Sequence, residues 1–150
     1  MEISIENKPN TYRIGVDKNG KEWKRKIYYN YGYIKRTSAP DGDHVDCFIK
    51  DIKNNDNNLD VYIINQIKPD TKEFDEPKCM LGFDNKSEAK KAYLKNYEPG
   101  WAGFGSIIKM NIDDFKKWVY SNESKKKKEA IIKEECVELM KDMKKRRYFL

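Results

Sequence analysis

The sequence predicts an α+β fold, in which a small closed or partly open β-barrel is flanked by helices and followed by a long C-terminal helix. Residues 1–83 carry short runs of β-branched and aromatic residues, separated by Asp, Asn, Gly and Pro. From residue 84 onward, apolar residues recur at helical spacing instead. The chain has 150 residues, of which 38% are hydrophobic, and such a chain can bury one core of ordinary size.

The predicted strands follow one another at short intervals, as they do in small barrels and sandwiches. The first two flank the polar segment 17–20, which ends in glycine and predicts a hairpin turn. The segment 54–58, rich in Asn and Asp, predicts a solvated loop. The strands are expected at residues 11–16, 22–27, 28–34, 45–49, 61–67, 78–83 and 106–110.

Two short helices and one long helix complete the predicted fold. Asn85 followed by Glu88 resembles a capping box and predicts a helix over residues 86–97. Asn111 is suited to cap a second helix that ends near Tyr120. After a polar break at 121–124, apolar residues at 132, 136, 139, 140 and 143 predict one face of a long helix. We therefore expect a body of residues 1–120 and a basic helical extension of residues 121–150.

The net charge of +6 is concentrated in that extension. Residues 125–150 hold ten Lys and Arg against five Asp and Glu, whereas residues 1–124 hold 21 against 20. The body is therefore nearly neutral, and nucleic-acid binding by the body is not favoured.

The composition also limits the cellular compartment that we expect and the kinds of metal ion that the chain could bind. The sequence has no run of about 18 apolar residues that would span a membrane and no signal-peptide pattern, so we expect a cytoplasmic protein. Cys47, Cys79 and Cys136 form no Cys-x-x-Cys pair, which disfavours a disulfide framework or a thiolate zinc site. Because His44 is the only histidine, any metal would be held by oxygen ligands, as magnesium, manganese and calcium are.

Three aspartates fall within six residues, at Asp41, Asp43 and Asp46. Carboxylates this close repel one another unless a cation offsets their charge. Asp-Gly is also a common turn dipeptide, so Asp41 and Asp43 could instead be solvated turn residues. Asp46 interrupts an apolar strand, an inconsistency that is typical of a functional cavity.

Phosphoanhydride hydrolysis needs carboxylates that hold metal ions and cationic or phenolic groups that offset phosphate charge. Lys78 follows Glu76 by two residues, a spacing that in a strand points both side chains to one face of the sheet. The sequence therefore contains both kinds of group.

The segment Asn30-Tyr31-Gly32-Tyr33-Ile34, a threonine three residues later, and Asp41-Gly42-Asp43-His44-Val45-Asp46 closely resemble the signature of family I soluble inorganic pyrophosphatases. A phage-associated branch of pyrophosphatase-like domains is more similar still, through the segments 41–46, 61–66, 74–83 and 100–103. The resemblance covers about residues 1–118, and it implies a barrel similar to oligonucleotide-binding barrels.

The resemblance implies roles for individual residues. It implies a Mg²⁺ site, with Mn²⁺ as an alternative, whose acids are Asp41, Asp43, Asp46, Glu76, Asp75 and Glu6, with Asp70 as an alternative to Asp75. Asp43 would also accept the proton of the attacking water. The groups around phosphate would be Tyr31, Lys78, Arg25 and Arg13.

The chain also departs from the family pattern. His44 replaces a proline, and Gly15 occupies the position of a second N-terminal glutamate. The Tyr-Lys pair of the family's late helix has no adjacent counterpart, which leaves Tyr93, Lys95 and Tyr97 as candidates.

Three functions remain open from the sequence. The first is Mg²⁺-dependent hydrolysis of inorganic pyrophosphate, and the second is hydrolysis of a pyrophosphate bond in a nucleotide. The third is a non-catalytic module that binds nucleic acid or a protein partner on a degenerate pyrophosphatase scaffold. The expected partner is a small-molecule substrate, and no interaction with a membrane is expected. The C-terminal helix could join copies of the chain into a homo-oligomer.

Overall fold

A computed structural model describes residues 1–52 and 59–121 of the chain. The predicted loop at 54–58 and the predicted C-terminal helix lie outside the described residues. The described elements are β1 (Ile3–Asn7), β2 (Thr11–Val16), β3 (Glu22–Ile27), β4 (Asn30–Ile34), β5 (Val45–Ile49), β6 (Asp60–Ile67), β7 (Phe74–Leu81), α1 (Lys86–Lys95), β8 (Phe104–Asn111) and α2 (Ile112–Val119).

The predicted α+β class is confirmed, but the predicted barrel is wrong. Six strands form a sheet in the order β1-β4-β5-β7-β6-β8, in which only β5 and β7 are parallel neighbours. Strands β2 and β3 form a separate two-stranded hairpin. Strands β1 and β8 lie at opposite edges, so in the described part of the chain the sheet is open.

Both faces of the sheet are buried, which explains why the sheet can remain open. On β6, Ile63 belongs to an apolar cluster that includes Phe115 of α2. Its neighbours Tyr62 and Ile64 belong to a second cluster, on the opposite face, that includes Tyr93 of α1. A sheet covered on both faces buries its apolar residues without curling into a barrel.

The helix caps confirm the two sequence-predicted helix starts. The Asn85 side chain accepts a hydrogen bond from the Glu88 backbone amide at 2.8 Å, and the Asn111 side chain does the same for Asp114 at 2.8 Å. Helix α1 ends earlier than predicted because Asn96 serves as its C-cap. The Asn96 side-chain nitrogen Nδ2 donates to the Ala92 carbonyl oxygen, and the side-chain oxygen of Asn96 accepts from the Tyr28 backbone amide. Among the described residues, no helix is long and apolar enough to cross a membrane.

Strand β1 was not predicted, and its contact with β4 depends on a glycine. It pairs antiparallel with β4, with Ile5 opposite Gly32. A Cβ built at Gly32 would lie 1.9 Å from the Ser4 carbonyl oxygen. Only glycine therefore permits this close approach, which fixes the strand that carries Tyr31.

Candidate active site

Three side chains from neighbouring strands meet on the α1 face of the sheet. Asp46 of β5 lies beside Lys78 of β7 in the parallel register, and Tyr31 lies on the adjoining strand β4. The Tyr31 hydroxyl donates to Asp46 Oδ2 at 2.7 Å, and Lys78 Nζ donates to the same oxygen at 2.8 Å. Lys78 Nζ also donates to the Tyr31 hydroxyl oxygen at 3.1 Å. We call these three residues the central cluster.

Lys78 is a buried cation held between two carboxylates. The residue is 4% exposed, and its Nζ lies 2.5 Å from Glu76 Oε1 as well as 2.8 Å from Asp46 Oδ2. The prediction that Glu76 and Lys78 share a face is therefore confirmed. Burial works to lower the pKa of Lys78, but the phenols of Tyr97 and Tyr31 and the carboxylates of Asp46 and Glu76 around it favour the charged form, so this pKa is raised well above its usual range. Lys78 therefore stays charged.

Burial shifts the pKa values of the other groups upward. The pKa of Glu76 is raised chiefly by burial, with the negative charges of Asp46 and Asp75 adding to the effect and Lys78 opposing it. Burial also raises the pKa of Tyr31, so its phenol is neutral and can donate a hydrogen bond at physiological pH.

A buried hydrogen-bond network lies beside the central cluster and is organised by Gln66. Its side-chain oxygen accepts from the Tyr93 hydroxyl at 2.7 Å and from the Tyr97 hydroxyl at 3.1 Å, while its nitrogen donates to Asp75 Oδ2 at 3.1 Å. Trp101 Nε1 donates to the Tyr93 hydroxyl at 2.8 Å. Gln66 was not among the predicted site residues, although a polar residue in an apolar strand is the same signal that singled out Asp46.

Two arginines of the hairpin face this region. Arg13 and Arg25 are paired across β2 and β3. The Arg13 Cζ lies 4.6 Å from the centroid of the Tyr31 ring, a cation–π contact that brings a second positive charge to the central cluster. Arg25 lies further out, where its guanidinium is 3.0 Å from Glu98 Oε2. Both arginines line a cleft of about 590 Å³.

Among the described residues, the first two loop aspartates and Glu6 make no hydrogen bond or ion pair with the central cluster. Asp41 and Asp43 are exposed, and Asp41 Oδ1 accepts from the Asp43 backbone amide at 3.0 Å. Gly42 between them has a φ of +86°, a left-handed conformation that suits glycine. His44 stacks on Tyr33, with ring centroids 4.5 Å apart. Glu6 is exposed on the edge strand β1. Asp41 and Asp43 therefore lie in an exposed turn, which was the alternative to a metal site that the sequence left open.

The inorganic pyrophosphatase family matches this chain over residues 1–120. The chain belongs to the inorganic pyrophosphatase family. A crystal structure of an inorganic phosphatase from Anaplasma phagocytophilum is 22% identical, over 63% of this chain and 63% of that chain. Its TM-score is 0.32, so this likeness carries no weight for the fold or function of the chain. No curated protein sequence matches the chain.

The acids of this pyrophosphatase-family chain suit a hard cation by their chemistry. In the described part of the chain, however, no three of them converge on one point. Carboxylate oxygens are the ligands that Mg²⁺ and Mn²⁺ prefer. Asp46, Glu76 and Lys78 together carry a net charge of −1, and Asp75 adds a further acid nearby. Over residues 1–52 and 59–121, no three His, Cys, Asp or Glu side chains approach closely enough to hold one metal ion.

Proposed function

We propose that this chain hydrolyses inorganic pyrophosphate to two phosphates in a reaction that requires Mg²⁺, with Mn²⁺ as an alternative. Membership of the inorganic pyrophosphatase family supports the reaction class. The observation that carries the proposal is the buried Lys78, held on Asp46 and Tyr31, with Arg13 of the neighbouring cleft against the Tyr31 ring.

Lys78 supplies the fixed positive charge. In the reaction, a water oxygen attacks one phosphorus and the bond from that phosphorus to the bridging oxygen breaks, so negative charge grows on the departing phosphate. A cation already held in a buried site stabilises this charge without reorganisation of solvent. The raised pKa of Lys78 keeps that cation present throughout the neutral pH range.

Tyr31 and Arg13 complete the proposed phosphate site. The neutral Tyr31 hydroxyl is a donor that can turn from Asp46 to a phosphate oxygen. Arg13 rests on the Tyr31 ring and adds a second cation on the cleft side. Arg25 is proposed to join them once its guanidinium leaves Glu98, because both arginines line the same cleft.

The acids are proposed to hold the metal ions and to accept a proton. The proposed ligands are Asp41, Asp43, Asp46, Glu76, Asp75 and Glu6. A divalent ion bound there would acidify a water molecule and offset charge on the phosphate oxygens. Asp43 is proposed to accept the proton of the attacking water. Residues 1–120 would hold the whole activity, and residues 121–150 would be dispensable for it.

The proposal is tested by phosphate release from pyrophosphate with Mg²⁺, with and without EDTA. We expect release that EDTA abolishes and added Mg²⁺ restores. Lys78→Met should remove most of it, whereas Lys109→Met should not, because Lys109 is an exposed lysine that pairs with Asp60 on another part of the sheet. Absence of Mg²⁺-dependent release by a folded protein would refute the proposal.

A further inference from the structure

The cleft beside the central cluster is larger than two phosphate groups require. Its volume of about 590 Å³ lies within the range of roughly 300–1,000 Å³ that is typical of pockets for small organic ligands. It borders the central cluster, because Arg13 and Phe48 both line it and both contact the Tyr31 ring. Pyrophosphate alone would therefore leave most of the cleft unfilled.

One wall of the cleft carries an indole ring that is fixed in position. Trp23 of β3 lies opposite Gly15 of β2, and a Cβ at that glycine would come within 2.3 Å of the Trp23 ring. The Arg25 Cζ lies 5.8 Å from the Trp23 ring centroid. An aromatic ring held at the border of a cationic groove is a stacking surface for a nucleobase.

The spacing along the hairpin matches the parts of a nucleotide. Trp23 and Arg25 are two residues apart on β3 and share a face, so their Cα atoms are about 7 Å apart. A ribose bridges a comparable distance between a base and its first phosphate. Glu98 also lines the cleft, and a carboxylate there can accept hydrogen bonds from ribose hydroxyls.

We propose that the cleft binds the nucleoside part of a nucleoside diphosphate, with the base against Trp23 and the diphosphate against Arg25 and Arg13, on the side where Arg13 meets the Tyr31 ring. This inference rests on the proposed function, because both use one phosphate site. The water oxygen bonds to the terminal phosphorus, and the bond from that phosphorus to the bridging oxygen breaks. The bond's electron pair leaves with the nucleoside monophosphate. The products are a nucleoside monophosphate, phosphate and one proton.

The test combines turnover with binding. Phosphate release is measured from adenosine diphosphate and from pyrophosphate, and adenosine monophosphate binding is measured by calorimetry on the full chain. Trp23→Ala should weaken monophosphate binding by roughly 5- to 150-fold, the usual range for loss of one base-stacking contact, and should raise the ratio of the two KM values similarly. Trp23→Phe should restore binding to within a few-fold. The control is Tyr12→Ala, on the exposed opposite face of the same hairpin, which should change neither measurement.

Several outcomes separate this inference from the proposed function. Pyrophosphate turnover without adenosine diphosphate turnover or monophosphate binding would overturn the inference and leave the proposed function standing. Monophosphate binding through Trp23 by a chain that hydrolyses neither substrate would refute the proposed function and the diphosphate cleavage, and would leave only the nucleoside site standing. Unchanged binding by Trp23→Ala would also overturn the inference. If that variant does not fold, the indole N–H resonances of the wild-type protein decide: the Trp23 resonance should move on addition of monophosphate, and a stationary one would refute the site.

Discussion

Replacing Lys78 by methionine separates the structural role of this lysine from its proposed role in the reaction. The substitution removes a buried positive charge from between Asp46 and Glu76 and fills its volume with an apolar chain. Breaking a buried ion pair by removing one partner typically costs about 3–5 kcal/mol. The side chains of Asp46 and Glu76 keep 25% and 19% of their exposure, so solvent still screens them and the lower end, about 3 kcal/mol, applies.

The loss should depend on pH and should be relieved by a second substitution. Without Lys78, which opposes the raised pKa of Glu76, that pKa rises further in the folded protein, so stability falls as pH increases from 4 to 7. At pH 7 we expect a melting temperature lower by roughly 6–12 °C. Lys78→Met with Glu76→Gln should recover most of that loss, because one carboxylate, still bonded to Tyr31, remains.

The assay is thermal unfolding followed by circular dichroism at several pH values, in a double-mutant cycle with pyrophosphate turnover measured in parallel. Turnover should fall on the order of ten- to a thousand-fold in Lys78→Met and should not recover in the double variant, because the positive charge is still missing. A double variant no more stable than Lys78→Met would refute the electrostatic account of the site. Recovered turnover in that variant would refute the role of Lys78 in the reaction.

Three further predictions test the site, the core and the domain division. Glu76→Gln should raise the melting temperature at pH 7 in the absence of metal. The pKa of Glu76 in the folded protein lies above its ordinary value of 4.5, so the stability that protonated Glu76 contributes at low pH is lost as pH rises. An unchanged pH profile of unfolding in the variant would contradict this. Cys47 should resist alkylation at pH 8 in the folded protein, because burial raises the pKa of its thiol to about 12, and mass spectrometry after iodoacetamide treatment should find it labelled only after denaturation. A chain truncated after residue 122 should keep turnover per site within a few-fold while losing stability or changing its oligomeric state, as measured by phosphate release and light scattering; a folded but inactive truncated chain would show that the extension contributes to the site.

Local sequence signals predicted the local elements well. Strands β2, β3 and β5 have the predicted bounds, because runs of strand-forming residues end at clear turn residues. Strand β7 begins four residues before its predicted start. Its early part contains Pro77, which lacks a backbone amide donor and weakens a strand signal.

The pairing of strands that lie far apart in the chain could not be predicted from the sequence. Strand β1 is short and joins the sheet only through β4, about 27 residues further along the chain, where Gly32 lets the two backbones meet. The open sheet likewise depends on which strands pair across the fold and on which faces the two helices cover. Neither arrangement leaves a periodic pattern in the chain.

Part of the geometry of the candidate site could be predicted from the alternation of side chains along the strands. Asp46 was singled out as polar within an apolar strand, and the spacing of Glu76 and Lys78 set their common face. The ion pair of Arg25 with Glu98 joins residues more than 70 positions apart, and no local pattern reveals such a contact.

Asp46 is proposed to belong to a metal-dependent pyrophosphate site. The most direct measurement is phosphate release from pyrophosphate at saturating Mg²⁺ by Asp46→Asn, compared with Asp60→Asn, whose carboxylate pairs with Lys109 at the exposed part of β6. We predict that Asp46→Asn folds and loses turnover by on the order of 10²–10³-fold, while Asp60→Asn stays near the wild-type rate. Near-normal turnover by Asp46→Asn would contradict the assignment of the site.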